Sequence, residues 1–252
     1  MPRILRYFLI AVQFLTRIPV PGQLATSEEE LGKAATFFPL VGAIVGGTAA
    51  LVFLASVRLF PLNVSVLIAI VFASFITNGF HEDGLADTFD GLGGGWTRER
   101  ALEIMRDSRL GTYGTLALVF LILGKFIFLS SLVQSHVWRW LIVGHVVCRW
   151  TVLPLCSWLP YARAEGQGKL VAKQITVSVF LAGTFTLALL LFVISLKLIL
   201  LVISIVTLIT LLSGLYFKRR LSGITGDCLG AVNQLAELGV YITALAVTRL
   251  SL

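Results

Sequence analysis

Long apolar stretches constrain this chain more than any other feature. A helix needs about 20 mostly apolar residues to cross a bilayer, and such stretches recur between residues 36 and 248. Hydrophobic residues make up 57% of the chain and charged residues only 13%, which leaves more apolar surface than one soluble core can bury. We therefore expect an all-α, polytopic helical membrane protein that forms a single integral membrane domain over residues 1–252.

The hydropathy pattern predicts about seven transmembrane helices. These spans are placed near residues 36–58, 63–82, 114–134, 137–158, 174–196, 198–217 and 228–248. Ahead of them, the apolar side chains between Ile4 and Leu15 share one helical face, and basic residues lie on another. Such a segment predicts an N-terminal interfacial helix that lies on the membrane.

The positive charge of the chain follows its predicted topology. The net charge is +7. Most of the basic residues fall in the short loops on the side of the membrane that carries the N-terminus. Cytoplasmic loops carry an excess of lysine and arginine, so we expect the N-terminus to lie in the cytoplasm. Because topology accounts for the charge, we expect the lipid bilayer as a partner and no nucleic acid.

The densest acidic segment of the chain is 81–91. If the second span continues as a helix past Phe80, then Asp83, Asp87 and Asp90 fall at positions i, i+4 and i+7 of one face. Carboxylates so close repel one another unless a cation compensates, and their oxygens suit Mg²⁺ or Mn²⁺. The spacing therefore predicts a divalent metal site with these three ligands; a solvated acidic helix end is the alternative.

Two further groups of charges adjoin this predicted site. Glu82 lies about 100° from the aspartate face and is interpreted as an outer metal ligand or an interfacial charge. Downstream, Arg106 and Arg109 flank Asp107 in a basic segment of helical spacing. Because arginine forks match phosphate oxygens, this segment predicts phosphate contacts. A positive-inside helix beside the membrane is the alternative.

A second polar segment opens the last predicted span, at residues 223–237. Polar groups are costly inside a membrane, so those that occur there usually have a functional or packing role. Asp227 and Asn233 are interpreted as candidate metal or substrate contacts, although Asp227 has the alternative of an N-cap. Arg149, inside the fourth span, needs an internal partner, for which one of the acids of this segment is a candidate.

Glycines in the first predicted span indicate how its helix packs. Gly42 and Gly46 form a small-xxx-small pair, which lets two helix backbones approach closely. The pair predicts tight helix packing and says nothing about chemistry.

Six short motifs together resemble the cobalamin synthase family, whose members are adenosylcobinamide-GDP ribazoletransferases of the inner membrane. The acidic and Arg106-containing motifs are the specific ones. The motifs are Phe-Leu-Thr-Arg-Ile-Pro at 14–19, Phe-Pro-Leu-Val-Gly at 38–42, the acidic segment 81–91, Met-Arg-Asp-Ser-Arg-Leu-Gly at 105–111, Leu-Pro-Tyr-Ala-Arg at 159–163 and Thr-Gly-Asp-Cys-Leu-Gly-Ala at 225–231.

The resemblance implies a Mg²⁺-dependent transferase of a bacterial-type inner membrane, with its active site on the cytoplasmic face. Its substrates would be adenosylcobinamide-GDP and α-ribazole, or α-ribazole 5′-phosphate, joined with release of GMP in the last assembly stage of cobalamin biosynthesis. Asp87 and Asp90 are then candidate catalytic residues that take up the proton of the attacking hydroxyl. The candidate substrate contacts are Arg106, Asp107, Arg109, Asp227 and Asn233.

Two other functions stay open at this point. An enzyme similar to the CDP-alcohol phosphatidyltransferases would also use spaced aspartates beside the membrane to expel a nucleoside monophosphate, but Ala86-Asp87 stands where that family has an Ala-Arg pair. An ion-coupled transporter would use Glu237 and the acidic segment as cation sites. The polar residues cluster on one side of the predicted membrane and not at its midplane, which disfavours the transporter.

Overall fold

The computed structural model describes residues 1–22, 24, 27–107, 109–163, 175–191 and 194–250. This part of the chain is helical, apart from loops and one isolated bridge between Tyr161 and Ile224. The helices are α1 (Arg3–Leu15), α2 (Glu28–Ala34), α3 (Phe38–Ser56), α4 (Leu62–Ile76), α5 (Phe80–Gly94), α6 (Arg98–Ile104), α7 (Thr112–Ser130), α8 (Gln134–Trp150), α9 (Val152–Trp158), α10 (Val177–Leu190), α11 (Leu196–Leu221) and α12 (Gly226–Leu250).

The all-α polytopic membrane class is confirmed. Five helical stretches within the described residues are long and apolar enough to cross a bilayer, namely Glu29–Ser56, Thr112–Ser130, Gln134–Trp158, Leu196–Leu221 and Gly226–Leu250. The bent pair α4 and α5 makes a sixth if it is one broken span. The span predicted at 174–196 begins outside the described residues, and the helix there, α10, has only 14 residues. Length and composition thus support five or six spans, where the sequence predicted about seven.

The second predicted span does not continue as one helix past Phe80. Helix α4 ends at Ile76, and α5 begins at Phe80 at an angle of 86° to it. Between them, Asn78 and Gly79 have φ angles of 58° and 64°, in the left-handed region that glycine enters without strain and asparagine tolerates. The aspartates therefore keep their predicted helical spacing, but on a helix that runs nearly perpendicular to α4.

Helices α3 and α8 pack closely against each other. A Cβ atom on Gly42 would overlap the carbonyl oxygen of His145, and one on Gly46 would lie 2.8 Å from the Cα of Ile142. The packing predicted for these two glycines is thus confirmed. Close contact along α8 also brings the polar side chains of that helix into the centre of the bundle.

Helix α1 has the amphipathic character that the sequence predicts. Its first turn is exposed, whereas Ile10 and Leu15 are buried against the rest of the protein. Phe14 stacks on Phe38, the first residue of α3, with 5.9 Å between ring centroids. The second half of α1 therefore covers one end of the bundle, and the location of the helix at the membrane interface stays a prediction.

Candidate active site

A pocket of about 210 Å³ lies where α3, α5 and α12 begin. We call it the acidic pocket. Its charged side chains are Asp83, Arg163 and Asp227, and aromatic rings form much of the remaining wall. The lining includes Phe14, Phe38, Phe80, His81, Asp83, Tyr161, Arg163 and Asp227. Five of the six sequence motifs, which lie far apart in the chain, thus meet at one end of the bundle.

Two glycines bring the acidic segments of α5 and α12 together. A Cβ atom on Gly84 would lie 3.0 Å from the carbonyl oxygen of Asp227 and 3.2 Å from the Cα of Gly230. The two helices therefore touch backbone to backbone at this point. Because Asp83 is adjacent to Gly84, its carboxylate reaches the same pocket as that of Asp227.

Arg163 is the cation of the acidic pocket. Its Nη2 lies 2.8 Å from Oδ2 of Asp227, and the Thr225 hydroxyl donates to the same oxygen at 3.3 Å. The contact is an ion pair without the alignment of a hydrogen bond: Nε and Nη2 of Arg163 are buried, and neither makes a hydrogen bond within the described part of the chain. These N–H groups are the donors that an arginine offers to a phosphate.

Backbone contacts hold Arg163 in place. The N–H of Ala162 donates to the carbonyl of Ile224 at 2.8 Å, and the N–H of Ile224 donates to the carbonyl of Pro160 at 2.9 Å. Nη2 of Arg98, the first residue of α6, donates to the carbonyl of Ala162 at 2.8 Å. No role was predicted for Arg163 from the sequence, although its place in the motif at 159–163 was a signal that could have identified it.

Asp87 lies one turn beyond Asp83 and is partly buried. The charges that act on it are those of Asp83, Asp90 and Asp227, opposed by Arg163. The structure therefore gathers like charges, as the spacing predicted. The carboxylate oxygens of these aspartates do not form a group of three that all lie within 4.8 Å of one another. Among the described residues, one trio of His, Cys or acidic ligand atoms does so, and it lies elsewhere, inside the bundle.

Asp90 is held by the backbone of a neighbouring helix. Its carboxylate is buried and accepts hydrogen bonds from the N–H groups of Gly111, at 2.8 Å, and Gly114, at 2.9 Å. It thus ties the start of α7 to α5. Each oxygen keeps a further lone pair, so the metal and catalytic roles of Asp90 stay predictions.

Glu82 and Asn233 do not line the acidic pocket. The carboxylate of Glu82 accepts a hydrogen bond from the Ser74 hydroxyl at 2.7 Å and lines a separate cavity inside the bundle. Asn233 is buried in α12, and neither atom of its amide has a hydrogen-bond partner within the described part of the chain. Their metal and substrate roles stay predictions, but the structure does not bring them together with Asp83.

The predicted phosphate-binding segment follows α6. Arg109 makes a forked contact to Asp107, with Nε–Oδ1 at 3.0 Å and Nη2–Oδ2 at 2.6 Å, and its side chain is 87% exposed. The Arg109 guanidinium lowers the pKa of Asp107. Arg106 is exposed as well. None of the three lines the acidic pocket, although the Asp90 contacts tie the end of this segment to α5.

Arg149 does not pair with an acid of residues 223–237, although the sequence predicted such a pair. Its Nη1 donates to the carbonyl of His145 at 2.9 Å, not to an acid. Glu237 instead pairs with Lys125, whose Nζ lies 2.9 Å from Oε2. No role was predicted for Lys125 from the sequence, although a lone lysine inside the span predicted at 114–134 was a signal that could have identified it.

Comparison with known proteins places the whole chain in one group of sequences. The sequence profile described as cobalamin-5-phosphate synthase matches residues 7–245. Among curated relatives, the adenosylcobinamide-GDP ribazoletransferase of Vibrio cholerae serotype O1 is 40% identical, covering 98% of this chain and 97% of the relative. The proteins of the same name in Vibrio parahaemolyticus and Shewanella amazonensis are 41% and 43% identical, covering 95% and 96% of this chain and 91% and 96% of the relatives. No solved structure matches the chain.

Proposed function

Because this chain belongs to the cobalamin-5-phosphate synthase family, we propose that it joins adenosylcobinamide-GDP to α-ribazole, or to α-ribazole 5′-phosphate, with release of GMP. It is a multi-pass membrane transferase of cobalamin assembly. The names of the curated relatives supply the two substrates. The reaction is then a phosphoryl-type transfer, in which positioning and charge stabilisation provide most of the catalysis.

The observation that supports this function best is the meeting of Asp83, Asp227 and Arg163 in the acidic pocket. A pyrophosphate carries several negative charges. The buried Nε and Nη2 of Arg163 are suited to bind its oxygens, since arginine recognises phosphate through parallel N–H donors. The aromatic walls of the pocket suit the apolar parts of large substrates.

The transfer forms one bond and breaks one. The hydroxyl oxygen of ribazole attacks the phosphorus atom attached to cobinamide, the bond from that phosphorus to the GMP oxygen breaks, and GMP leaves. The proton of the hydroxyl passes to a carboxylate. Asp87 is the preferred acceptor, because it lies one turn from Asp83 on the same face of α5 and Asp90 already accepts two backbone hydrogen bonds.

A divalent cation fits the donor set of this site. Asp83 and Asp87 of α5, with Asp227 of α12, would hold Mg²⁺ or Mn²⁺, since all the donors are carboxylate oxygens. Their mutual repulsion is opposed by Arg163 alone among the charges that act on Asp87 in the described part of the chain. When bound, the cation would neutralise charge on the pyrophosphate.

The orientation of the protein follows from its loops. Lysine and arginine are concentrated in the loops on the side of the N-terminus, and such loops lie in the cytoplasm. The acidic pocket then lies on the cytoplasmic face of a bacterial-type inner membrane. The pocket lies at the first residues of α3 and α12, so it opens at an end of the bundle and not at its middle. Substrates made in the cytoplasm would reach it from that side.

Turnover by the purified protein in lipid nanodiscs tests this function. Adenosylcobinamide-GDP and α-ribazole should give GMP and the joined corrinoid in equal amounts, measured by chromatography, and a chelator should stop both. Asp87→Asn should abolish the Mg²⁺-dependent reaction, whereas Glu103→Gln, at an exposed acid of α6, should leave it unchanged. Absence of turnover by the native protein would contradict the function, and full turnover by Asp87→Asn at saturating Mg²⁺ would reject Asp87 as an essential residue.

A further inference from the structure

Ionisable side chains meet inside the bundle next to the acidic pocket, with His81 lining both cavities. We call this group the internal polar cluster. It surrounds a cavity of only about 10 Å³, too small for a substrate. Charged groups are rare inside membrane bundles and usually have a role there. The members used below are Ser74, Glu82, Lys125, His145, Arg149 and Glu237.

Two of the charges in the internal polar cluster neutralise each other. Nζ of Lys125 lies 2.9 Å from Oε2 of Glu237 and donates to Oε1 of Gln234 at 2.6 Å. The Tyr241 hydroxyl donates to Oε1 of Glu237 at 2.9 Å. Because Lys125 already compensates Glu237, a metal ion on the nearby trio of His145, Cys148 and Glu237 is disfavoured.

The two remaining charges, on Glu82 and Arg149, are opposite. Oε1 of Glu82 accepts from Ser74, while its Oε2 is buried and has no hydrogen-bond partner among the described residues. Arg149 is 2% exposed, and its Nε is likewise buried without a partner there. Both side chains line the same small cavity. A buried charge without a compensating partner is costly. Because Lys125 already pairs with Glu237, Arg149 is the cation of this cavity that can compensate Glu82.

Glu82 also takes part in a contact across the bend between α4 and α5. Ser74 belongs to α4 and Glu82 to α5, so their hydrogen bond crosses the 86° break. The left-handed Gly79 at the break has no side chain that would limit its direction. The hydrogen bond between Ser74 and Glu82 therefore acts on the angle at which α5 leaves α4, together with the packing of Gly84 on α12.

We propose that Glu82 is a positioning residue, held by the Ser74 hydroxyl and compensated by the charge of Arg149 in the same cavity, that helps to set the direction of α5 and thereby keeps Asp83 at the acidic pocket, with Asp87 one turn beyond it. The role differs from the outer metal ligand that the sequence suggested for Glu82. It rests on the proposed function only where it assigns catalysis to the two aspartates. The effect on the direction of α5 is independent of any reaction.

A labelling experiment tests the direction of α5 directly. The three native cysteines are buried, so a cysteine introduced as Asp83→Cys, at an exposed position, reports access to the acidic pocket through its rate of reaction with a water-soluble maleimide. Adding Glu82→Gln should change this rate severalfold, and adding Ser74→Ala should change it in the same sense. Adding Glu103→Gln should not change it. An unchanged rate in the folded Glu82→Gln protein would overturn the proposal.

Turnover then separates positioning from metal binding. Glu82→Gln alone should lower kcat by up to about a hundredfold, the loss expected when catalytic groups shift by about 1 Å, and extra Mg²⁺ should not restore it. Glu82→Gln combined with Arg149→Met should lose less than the product of the two single effects, because the pair acts as a unit. Restoration by Mg²⁺, or multiplicative losses, would overturn the proposal. If the native protein shows no turnover, the proposed function fails while the labelling result still stands.

Discussion

The N–H of Gly114 donates to Oδ1 of Asp90 at 2.9 Å and so joins the start of α7 to the acidic helix α5. The N–H of Gly111 binds the other oxygen of the same carboxylate. A helix N-terminus leaves N–H groups without intrahelical partners, and a carboxylate there also meets the positive end of the helix dipole. Asp90 therefore fixes the distance between the acidic helix and the end of the basic segment.

Replacement of Asp90 by asparagine should destabilise the protein. Asparagine keeps one acceptor oxygen and presents an NH₂ group to the second N–H, so one buried donor loses its partner at a cost of about 1–3 kcal/mol. Unfolding of the purified protein in detergent measures the loss, with Glu103→Gln as the surface control. Unchanged unfolding with a changed Mg²⁺ requirement would instead identify Asp90 mainly as a metal ligand.

Alanine substitutions at two glycines of α3 should have opposite effects on the stability of the protein. A Cβ atom on Gly42 would overlap the backbone of His145, so Gly42→Ala should cost about 1–3 kcal/mol as an overpacked contact. Gly47 has nothing within 4 Å of the same position, and Gly47→Ala should stabilise the helix by about 0.5–1 kcal/mol. Equal effects of the two substitutions on unfolding would show that α3 and α8 do not pack this closely.

Arg163 should affect substrate binding more than folding. Hydrogen bonds to charged groups contribute about 1.5–3 kcal/mol, so Arg163→Met should raise the KM for adenosylcobinamide-GDP by about 10- to 100-fold. Arg163→Lys should also raise it, because lysine keeps the charge but loses the fork. Arg100→Met, at an exposed arginine paired with Glu103, is the matched control. Steady-state kinetics that show an unchanged KM would remove Arg163 from the phosphate site.

The contact between Arg109 and Asp107 is exposed and should contribute little to stability. Arg109→Met is expected to leave the unfolding of the protein almost unchanged while raising the KM of the nucleotide-bearing substrate. Because Arg109 lowers the pKa of Asp107, the pair is present at neutral pH and is lost as the pH falls through that lowered pKa. A large loss of stability with unchanged KM would show that the pair is structural.

The sequence predicted the features that depend on local spacing. The helical register of Asp83 and Asp87 and the packing of Gly42 follow from residues a few positions apart. The bend at Gly79 was not predicted, because the apolar and small residues on both sides of it have the hydropathy pattern of one continuous span. Arg163 was missed because a loop residue carries no periodicity, and only the tertiary fold brings it to Asp227.

The buried pair of Lys125 and Glu237 should tolerate joint replacement better than single replacement. Lys125→Met leaves the carboxylate of Glu237 buried without a counter-charge and should cost about 3–5 kcal/mol, whereas Lys125→Met with Glu237→Gln removes both charges and should recover most of that loss. The side chains are 5% and 3% exposed, so water cannot screen the remaining charge. Unfolding in detergent is measured for Lys125→Met, Glu237→Gln, the double variant and the native protein. A double variant as unstable as the sum of the single ones would show that the two charges do not compensate each other.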